Sequence, residues 1–342
     1  TFSSRGLGDV YKRQVYTAPE KVVYRDFDEP RPNEGELLVK ITNVGICGSD
    51  MHAYLGHDDR RPAPLILGHE ASGVIEEGDQ KGERVVINPL VTCGNCHYCW
   101  DGRSNLCPDR QIISMPPRQG AFADYIAMPS TNLIPIPDDL STTKAALAEP
   151  LATAWHAVLT ANRLSYRPLA EAKAFVIGAG AVGLGSALTL KAFGCKEISI
   201  AETNQLRCET AEQAGIEFVF DPTKENNLID GNMDVIIDAV GSKESRRTAI
   251  QSAKPGSVIV HVGLLDGVDG FDARRLTLQE ITFVGVYTYT MMDFQQTVTA
   301  MAEGKLGALD WFEEGSLLEG PNAFSDLLQG KTSAAKIVLR PN

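Results

Sequence analysis

Four cysteines lie in one short segment with the spacing C-x2-C-x2-C-x7-C: Cys93, Cys96, Cys99 and Cys107. Four thiolates at this spacing can saturate a tetrahedral zinc ion and leave no position for a substrate. The segment therefore predicts a structural zinc lobe over residues 90–110. An iron–sulfur cluster is the alternative, because compact cysteine sets also hold clusters. Seven cysteines in 342 residues are too few for a disulfide scaffold.

A glycine motif, G-x-G-x-x-G, lies between an apolar strand-like run and a helical run. Gly178 permits a tight turn, Gly180 allows close approach of a pyrophosphate, and Gly183 allows helix and strand to pack closely. The pyrophosphate would bind at the helix N-terminus, formed by Ala181 and Val182, where backbone N–H groups are unpaired. This context predicts a dinucleotide site.

An acidic residue, Glu202, follows the second strand-like run of this region. A carboxylate at this place accepts hydrogen bonds from the adenosine ribose. Its repulsion of a 2′-phosphate is on the order of 3 kcal/mol per unit charge at roughly 5 Å and a dielectric near 20. The sequence therefore predicts NAD rather than NADP. Arg207, on the next helix, either stacks on the adenine or is a solvated surface residue.

Two further segments combine ligand types that zinc prefers. The first, C-G-S-D-M-H, begins at Cys47, and the second, G-H-E, contains His69 and Glu70. Each residue also has an ordinary interpretation, since a lone cysteine is usually a core residue and a His beside a Glu is usually a surface pair.

Composition limits the classes of protein that this chain can belong to. Hydrophobic content of 43% and charged content of 22% are ordinary for a globular protein. The net charge of -12 argues against a nucleic-acid or anionic-membrane partner. No apolar run approaches the roughly 20 residues of a membrane span, and no signal peptide is visible. We expect a cytoplasmic location.

The chain changes character near Pro150. Before it, short β-like runs at 37–41, 73–75 and 84–87 predict a mostly β domain over 15–150. After it, helical and strand-like runs alternate, which predicts a doubly wound parallel sheet over 151–286. These runs are 151–160, 174–177, 181–193, 198–201, 204–214, 235–239 and 258–262. A last segment, 287–342, ends in a strand-like run at 335–340.

The first fourteen residues are interpreted separately. The run from Ser4 to Gln14, S-R-G-L-G-D-V-Y-K-R-Q, resembles the in-frame translation of a transposase adapter used for sequencing libraries. A genuine polar N-terminal tail is the alternative. In either case we expect residues 1–14 to lie outside the fold.

Taken together, the motifs resemble the zinc-containing medium-chain alcohol dehydrogenases, most closely the sorbitol and threonine dehydrogenase branch, from about Val15 to Asn342. The resemblance implies an α/β two-domain fold, in which a GroES-like β catalytic domain is interrupted by a Rossmann domain and completed by the C-terminal segment. It implies NAD and two zinc ions per subunit, one catalytic and one structural. The implied reaction oxidises a secondary alcohol or polyol to a ketone by hydride transfer to NAD. Pairing of subunits at 281–286 would give a homodimer or homotetramer.

The resemblance also implies roles for individual side chains. Ser49 would take the substrate hydroxyl proton, and His52 would pass it toward solvent. Asp50 would contact the zinc ligand His69 and fix its tautomer without binding the metal itself. Glu149 would lie near the metal, either as a direct ligand or through water. The catalytic zinc ligands implied are Cys47, His69, Glu70 and Glu149.

Three other functions remain as alternatives. A zinc-free quinone or enoyl reductase is disfavoured by the ligand set together with Glu202. A non-enzymatic protein that has kept the fold would bind zinc without turnover. A zinc-module nucleic-acid binder is disfavoured by the acidic charge. The substrate is left open among sugar alcohols, vicinal diols, 3-hydroxy amino acids and simple secondary alcohols.

Overall fold

The structure is a computed structural model that describes residues 11–27, 30–224 and 231–341. The described strands are β1 Tyr11–Ala18, β2 Lys21–Phe27, β3 Glu36–Gly45, β4 Leu65–Ile66, β5 Glu70–Ile75, β6 Arg84–Ile87, β7 Leu90–Val91, β8 Gln111–Ile112, β9 Tyr125–Pro129, β10 Leu133–Pro135, β11 Lys173–Ile177, β12 Glu197–Ala201, β13 Phe218–Phe220, β14 Met233–Asp238, β15 Ala253–His261, β16 Thr282–Gly285, β17 Phe312–Ser316 and β18 Lys336–Arg340. The described helices are α1 Gly48–Tyr54, α2 His97–Trp100, α3 Thr142–Ala145, α4 Ala148–Leu164, α5 Ala181–Ala192, α6 Gln205–Gln213, α7 Lys243–Ser252, α8 Ala273–Leu278, α9 Met291–Ala302 and α10 Gly320–Leu328.

The first domain is built on a mixed sheet in the order β10-β6-β5-β3-β18-β17, with β9 also paired to β3. The predicted β-like runs at 37–41, 73–75 and 84–87 lie in β3, β5 and β6, as expected. Val39, Val44 and Ile75 are almost completely buried and belong to one apolar core. This core fixes which face of each strand points inward, and so fixes the register of the sheet.

The second domain is a six-stranded sheet in the order β13-β12-β11-β14-β15-β16, with every pair parallel. This is the strand order of a Rossmann fold, and it confirms the predicted doubly wound sheet. All six residues of β14 are buried, as expected where helices cover both faces of a parallel sheet. Helix α5 ends before Gly194, whose φ of +88° is the left-handed conformation in which helices commonly end.

The C-terminal segment returns to the first domain, as the resemblance implied. Strand β18 pairs antiparallel with β3 and parallel with β17, so it lies inside the first sheet. Helix α9, in contrast, packs on α4, and its Phe294, Val298 and Met301 share a core with the Rossmann strands. We therefore propose a domain boundary near Phe312 rather than at Tyr287.

The expectation that residues 1–14 lie outside the fold is wrong for its last four residues. Strand β1 begins at Tyr11 and pairs with β2 and β4. Arg13 and Gln14 are buried, and the Gln14 side-chain amide donates to the Leu317 carbonyl. Consecutive residues of a strand point to opposite faces, so this part of β1 is buried on both sides. Residues 1–10 lie outside the described residues, and the adapter origin stays a prediction.

Within the part of the chain that the structure describes, no helix has both the length and the apolarity needed to cross a bilayer.

Candidate active site

The predicted catalytic zinc ligands meet at one edge of the first sheet. Cys47 is the N-cap residue of α1, directly after β3, and Glu70 is the first residue of β5. Because Gly45 pairs with Glu70 across these two antiparallel strands, the end of one strand lies beside the start of the other. Cys47, His69 and Glu70 each contribute one donor atom, and these three atoms lie within 4.8 Å of one another. The chain thus brings together a thiolate, an imidazole and a carboxylate.

Both ring nitrogens of His69 have partners. Nδ1 lies 3.5 Å from Asp50 Oδ1 and 3.3 Å from Ser114 Oγ, while Nε2 lies 3.4 Å from Ser49 Oγ. Asp50 is fully buried and also accepts hydrogen bonds from the backbone N–H groups of Cys47 and Gly68. The contacts at Nδ1 fix the orientation of the ring and leave Nε2 as the nitrogen available to a metal. The family resemblance implied Asp50 for this role, but the sequence gave no signal for Ser114.

Charge around His69 affects its protonation. Burial alone lowers the pKa of His69, but the carboxylate of Asp50 and the sulfur of Cys47 raise it well above its ordinary value. Burial raises the pKa of Asp50, but the charge and hydrogen bond of His69, together with Arg61 and the Cys47 N–H, outweigh burial and lower the pKa. A divalent cation would replace the proton on His69, since a metal ligand must be deprotonated.

A buried lysine pairs with the glutamate of the site. Lys336 Nζ donates to Glu70 Oε1 at 2.7 Å and to the Ile46 carbonyl at 2.9 Å, and both charged side chains are almost fully buried. Burial lowers the pKa of Lys336, but the Glu70 carboxylate, together with Cys47 and Glu149, outweighs burial and raises the pKa. Lys336 is the first residue of β18, which neighbours β3. Sequence analysis missed it, although a lysine within an otherwise apolar strand is a signal of a paired charge.

Glu149 lies near these groups without joining the set of three. It is a buried residue of the first turn of α4, and its Oε1 accepts a hydrogen bond of 3.0 Å from the Tyr289 hydroxyl. Burial, with the charge of Glu70, raises the pKa of Glu149 to about 7 against the opposing effects of His69, Tyr289 and Lys336. Its direct coordination of zinc therefore stays a prediction. Tyr289, which is 1% exposed, was missed by sequence analysis.

The predicted proton relay is assembled in part. Ser49 Oγ lies 3.4 Å from His69 Nε2, the ring nitrogen that Asp50 and Ser114 do not contact. Ser49 and His52 lie three residues apart on α1, so they are neighbours on the helix surface. Among the described residues, no hydrogen bond joins the side chains of Ser49 and His52. The role of His52 stays a prediction.

The donor set fits a zinc ion. Sulfur, nitrogen and oxygen donors are the three types that zinc accepts, and three protein ligands leave a fourth tetrahedral position for substrate or water. Glu70 Oε2 is buried and has no hydrogen-bond partner among the described residues. A buried carboxylate oxygen without a partner is costly, and a cation beside it would offset that cost.

The cysteine lobe has the geometry predicted for a closed site. The Sγ–Sγ distances are 3.4 Å from Cys93 to Cys107, 3.5 Å from Cys96 to Cys99, and 4.0 Å from Cys93 to Cys99. Zn–S bonds of 2.3 Å in a tetrahedron place sulfurs about 3.8 Å apart. A disulfide would need about 2.05 Å, and all four thiols are free. Sulfurs this close can share one ion, which favours zinc over a multi-iron cluster.

The glycine loop has the geometry that its motif requires. Gly178 has a φ of +95°, and a side chain on Gly183 would lie 1.9 Å from the Gly178 carbonyl oxygen. Gly180 is the N-cap of α5, and a Cβ added there would meet no atom within 4 Å. The loop thus leaves open space at the helix N-terminus, where Ala181 and Val182 begin α5 and a pyrophosphate would fit.

Glu202 folds back onto this loop. Its Oε2 accepts from the Ala179 backbone N–H, and its Oε1 accepts from the backbone N–H groups of Thr203 and Asn204, each at 2.8 Å. Oε1 is thereby fully used, and Oε2 keeps a lone pair for a further donor. Arg207 is partly buried, and its Nε is buried without a partner among the described residues, so it is not a fully solvated arginine.

A Rossmann domain with a pyrophosphate loop, joined to a domain with an open thiolate–imidazole–carboxylate site, defines a metal-dependent nicotinamide dehydrogenase. Two family models match the chain: the alcohol dehydrogenase GroES-like domain at residues 33–138 and the zinc-binding dehydrogenase model at residues 181–303. The chain belongs to the zinc-containing alcohol dehydrogenase family, whose cofactors are zinc and a nicotinamide dinucleotide.

Named relatives agree with this assignment. The chain is 32% identical to a sorbitol dehydrogenase of Bacillus subtilis, over 92% of each sequence. It is 32% identical to an L-galactonate-5-dehydrogenase of Escherichia coli, covering 85% of this chain and 87% of that protein. The crystal structure of L-idonate 5-dehydrogenase from Escherichia coli is similar, with a TM-score of 0.85, 27% identity, and coverage of 97% of this chain and 98% of that one.

Proposed function

We propose that this chain oxidises a secondary alcohol in a polyhydroxylated substrate to a ketone, with transfer of a hydride to NAD. The observation that carries the proposal is the open donor set of Cys47, His69 and Glu70, on the chain that also carries the glycine loop. When bound, zinc supplies a Lewis acid that makes a hydroxyl group acidic near neutral pH, and the nicotinamide supplies the hydride acceptor.

The residues of the chain position the reactants and move the proton. Ser49 Oγ, 3.4 Å from His69 Nε2, takes the proton of the substrate hydroxyl, and His52 passes it to solvent. Asp50 and Ser114 hold the His69 ring in one orientation. Glu149 and Tyr289 form a buried polar pair near the metal ligands and orient a second hydroxyl group of the substrate.

The choice of NAD over NADP rests on Glu202. Its carboxylate, fixed by three backbone N–H groups beside the glycine loop, accepts from the ribose hydroxyls and repels a 2′-phosphate. Arg207 follows on α6 and contacts the adenine from the same side.

The names of the relatives leave two substrate classes open. One is named for sorbitol, an uncharged polyol, and two are named for galactonate and idonate, which are sugar acids. Both classes carry adjacent secondary hydroxyl groups that a zinc site with a buried carboxylate and a phenol can bind.

We also propose that two or four copies of this chain associate. Strand β16 is the last strand of the six-stranded sheet and pairs with β15 on one side. A second copy of β16 would satisfy the other side. Light scattering on the purified protein should give a mass of two or four chains; a monomeric mass contradicts this part of the proposal.

The test combines metal analysis with an absorbance assay for NADH. We expect two zinc ions per chain and NADH formation on a panel of polyols, sugar acids and 3-hydroxy amino acids. Two zinc ions without turnover on any of them would contradict the proposal and favour a protein that has kept only the fold.

The proton relay is tested by substitution. Ser49→Ala should lower kcat by about 10²- to 10⁴-fold, the usual contribution of a positioned proton acceptor, and leave zinc content unchanged. His52→Gln should lower kcat less, while the control His57→Gln, at an exposed loop histidine, should not change it. Unchanged turnover in Ser49→Ala removes Ser49 from the relay.

A further inference from the structure

A residue with a strained backbone lies beside the zinc ligand His69. Ser114, in the turn after β8, has a φ of +66°, in the left-handed region that serine rarely adopts. Its side chain is fully buried, and its Oγ lies 3.3 Å from His69 Nδ1. Strain of this kind persists only where neighbouring contacts enforce it, and it is concentrated at functional sites.

Hydrogen bonds to the turn enforce this conformation. The backbone N–H of Met115 donates to the Ile112 carbonyl at 3.2 Å, which closes the turn around Ser114. The carbonyl of Ser114 accepts a hydrogen bond of 3.0 Å from Arg61 Nε. A rotation of Ser114 out of the left-handed region would turn this carbonyl away from Arg61. The arginine therefore holds the strained residue in place.

Arg61 is itself fixed by a buried ion pair. Its side chain is 2% exposed, and one Nη donates to Asp58 Oδ2 at 2.6 Å. The backbone N–H of Arg61 also donates to the Asp58 carbonyl at 2.9 Å. Burial raises the pKa of Asp58, but its hydrogen bonds to Arg60 and the charges of both arginines outweigh burial and lower the pKa to about 2. Asp58 is thus an anion at any pH at which the protein is folded and active.

Stability alone is a weak reason for this pair. Burying two charges costs free energy, and apolar residues of the same volume often stabilise a protein as well or better. A guanidinium, however, has several N–H donors in a fixed planar arrangement. Arg61 uses one donor on Asp58 and another on the Ser114 carbonyl, which an apolar side chain could not do. The geometry therefore favours a positioning role.

The hydroxyl of Ser114 limits the rotation of the His69 ring. When Nε2 is the metal ligand, Nδ1 carries the proton and donates it to an acceptor. Asp50 Oδ1 lies 3.5 Å from Nδ1, which is long for a hydrogen bond, whereas Ser114 Oγ lies at 3.3 Å. Asp50 alone would leave the ring free to rotate by some degrees. A second acceptor at a different angle defines the direction in which Nε2 points.

We infer that Arg61 and Ser114 are positioning residues of the candidate zinc site. Arg61, held by Asp58, locks Ser114 in the left-handed conformation, and the Ser114 hydroxyl then sets the direction of the His69 ring. The inference goes beyond the proposed reaction, but it rests on the proposed role of His69 as a zinc ligand.

Ser114→Gly separates the hydroxyl from the backbone. Glycine adopts the left-handed region without strain, which offsets its greater freedom in the unfolded chain, so the midpoint of thermal unfolding should stay within about 3 °C. Competition with a chelator should show that one of the two zinc ions is bound about 10- to 100-fold more weakly, the usual cost of losing such a contact to a histidine ligand. The other zinc ion should be unaffected.

Glu280→Gly is the matched control for this variant. Glu280 also has a left-handed backbone, with a φ of +49°, but it is exposed and lies at the end of the turn after α8. The substitution should leave the affinity of both zinc ions unchanged. Weaker zinc binding in Glu280→Gly as well would mean that relief of backbone strain, and not the Ser114 hydroxyl, causes the effect, which would overturn the inference.

Arg61→Lys tests the arginine while a positive charge is kept beside Asp58. A single ammonium group lacks the planar fork, so the same zinc ion should be bound about 3- to 10-fold more weakly. In the Ser114→Gly background, Arg61→Lys should add no further loss beyond about twofold, because the hydroxyl through which it acts is gone. Arg60→Lys, at the exposed arginine that also pairs with Asp58, should change nothing.

Three outcomes separate this inference from the proposed function. Unchanged zinc affinity in Ser114→Gly, or equal losses from Arg61→Lys in both backgrounds, overturns the inference and leaves the proposed reaction intact. Zinc affinity that depends on Ser114, in a protein that oxidises none of the alcohols, keeps the positioning role and contradicts the proposed function. An unaltered protein that binds only the zinc ion of the cysteine lobe contradicts both.

Discussion

The two metal sites of this chain are built in opposite ways. The cysteine lobe takes four identical ligands from one continuous segment, and three of its four cysteines are partly exposed. The catalytic set takes three different ligands from two segments about twenty residues apart, and buried charges of β18 and α4 lie beside it. A local, saturated site can only stabilise its loop, whereas a nonlocal site with a free position can bind substrate.

Removing one ligand from each site tests this contrast most directly. Cys47→Ala should remove one of the two zinc ions and lower kcat by more than about 10³-fold, since several kcal/mol of Lewis-acid stabilisation are lost. Cys107→Ala should remove the other zinc ion and lower the midpoint of thermal unfolding, while the remaining folded enzyme keeps much of its turnover. Metal analysis, kinetics and calorimetry measure these effects.

Cys208→Ser is the control for both variants, because Cys208 is buried far from either cysteine set in sequence and donates only to the Glu202 carbonyl. It should retain both zinc ions and near-normal turnover. The contrast between the sites fails if Cys107→Ala abolishes turnover as completely as Cys47→Ala in protein that is still folded.

The buried pair of Lys336 and Glu70 gives the next largest effect. Lys336→Met should leave the Glu70 carboxylate buried without its cation and lower the free energy of unfolding by about 3 to 5 kcal/mol. The loss should be larger after zinc is chelated, because the metal partly replaces the lysine charge. Denaturant unfolding with and without chelator measures both values.

Lys331→Met is the matched control for this measurement. Lys331 is largely exposed and lies 3.9 Å from Asp326, so its removal should change the free energy of unfolding by less than about 1 kcal/mol. Equal effects of the two substitutions would mean that Lys336 behaves as an ordinary surface charge.

Cofactor choice should show the smallest effect. Glu202→Ala should raise the ratio of kcat/KM for NADP to that for NAD by about tenfold, because the repulsion of the 2′-phosphate is removed. Part of the change should come from weaker NAD binding, since Glu202 also holds Ala179 of the glycine loop. Glu209→Ala, on the exposed face of α6, should leave the ratio unchanged. If Glu202→Ala leaves the NADP-to-NAD ratio of kcat/KM unchanged, the preference for NAD must come from other residues.

The contrast between a local site and a nonlocal site also explains which features the sequence could predict. The lobe and the glycine loop are local patterns, so their spacing alone indicated their geometry, from Cys93 to Cys107 and from Gly178 to Gly183. The alternation of helices and strands indicated the Rossmann sheet, whose strands β11, β12, β14 and β15 lie close to predicted runs, while β13 was not predicted. In these cases neighbours in sequence are also neighbours in space.

Partners from distant segments could not be predicted in this way. Lys336 reaches Glu70 because β18 and β5 flank the same strand, and that pairing depends on register within the folded sheet. Ser114 reaches His69 through a loop that no motif marks. Arg13 and Gln14 were assigned to a tail because the run from Ser4 to Gln14 resembles an adapter, and their polar character gave no signal of burial. Such contacts follow from tertiary packing.

The position of Lys336 has a consequence for the order in which the enzyme is made. Cys47, His69 and Glu70 leave the ribosome early, whereas their neutralising lysine is synthesised after the whole Rossmann domain. Until β18 docks, the Glu70 carboxylate lacks the lysine that pairs with it in the folded chain. The charge-balanced form of the catalytic centre therefore requires that β18 has been synthesised and has docked, and metal acquired earlier would bind to a site without this lysine.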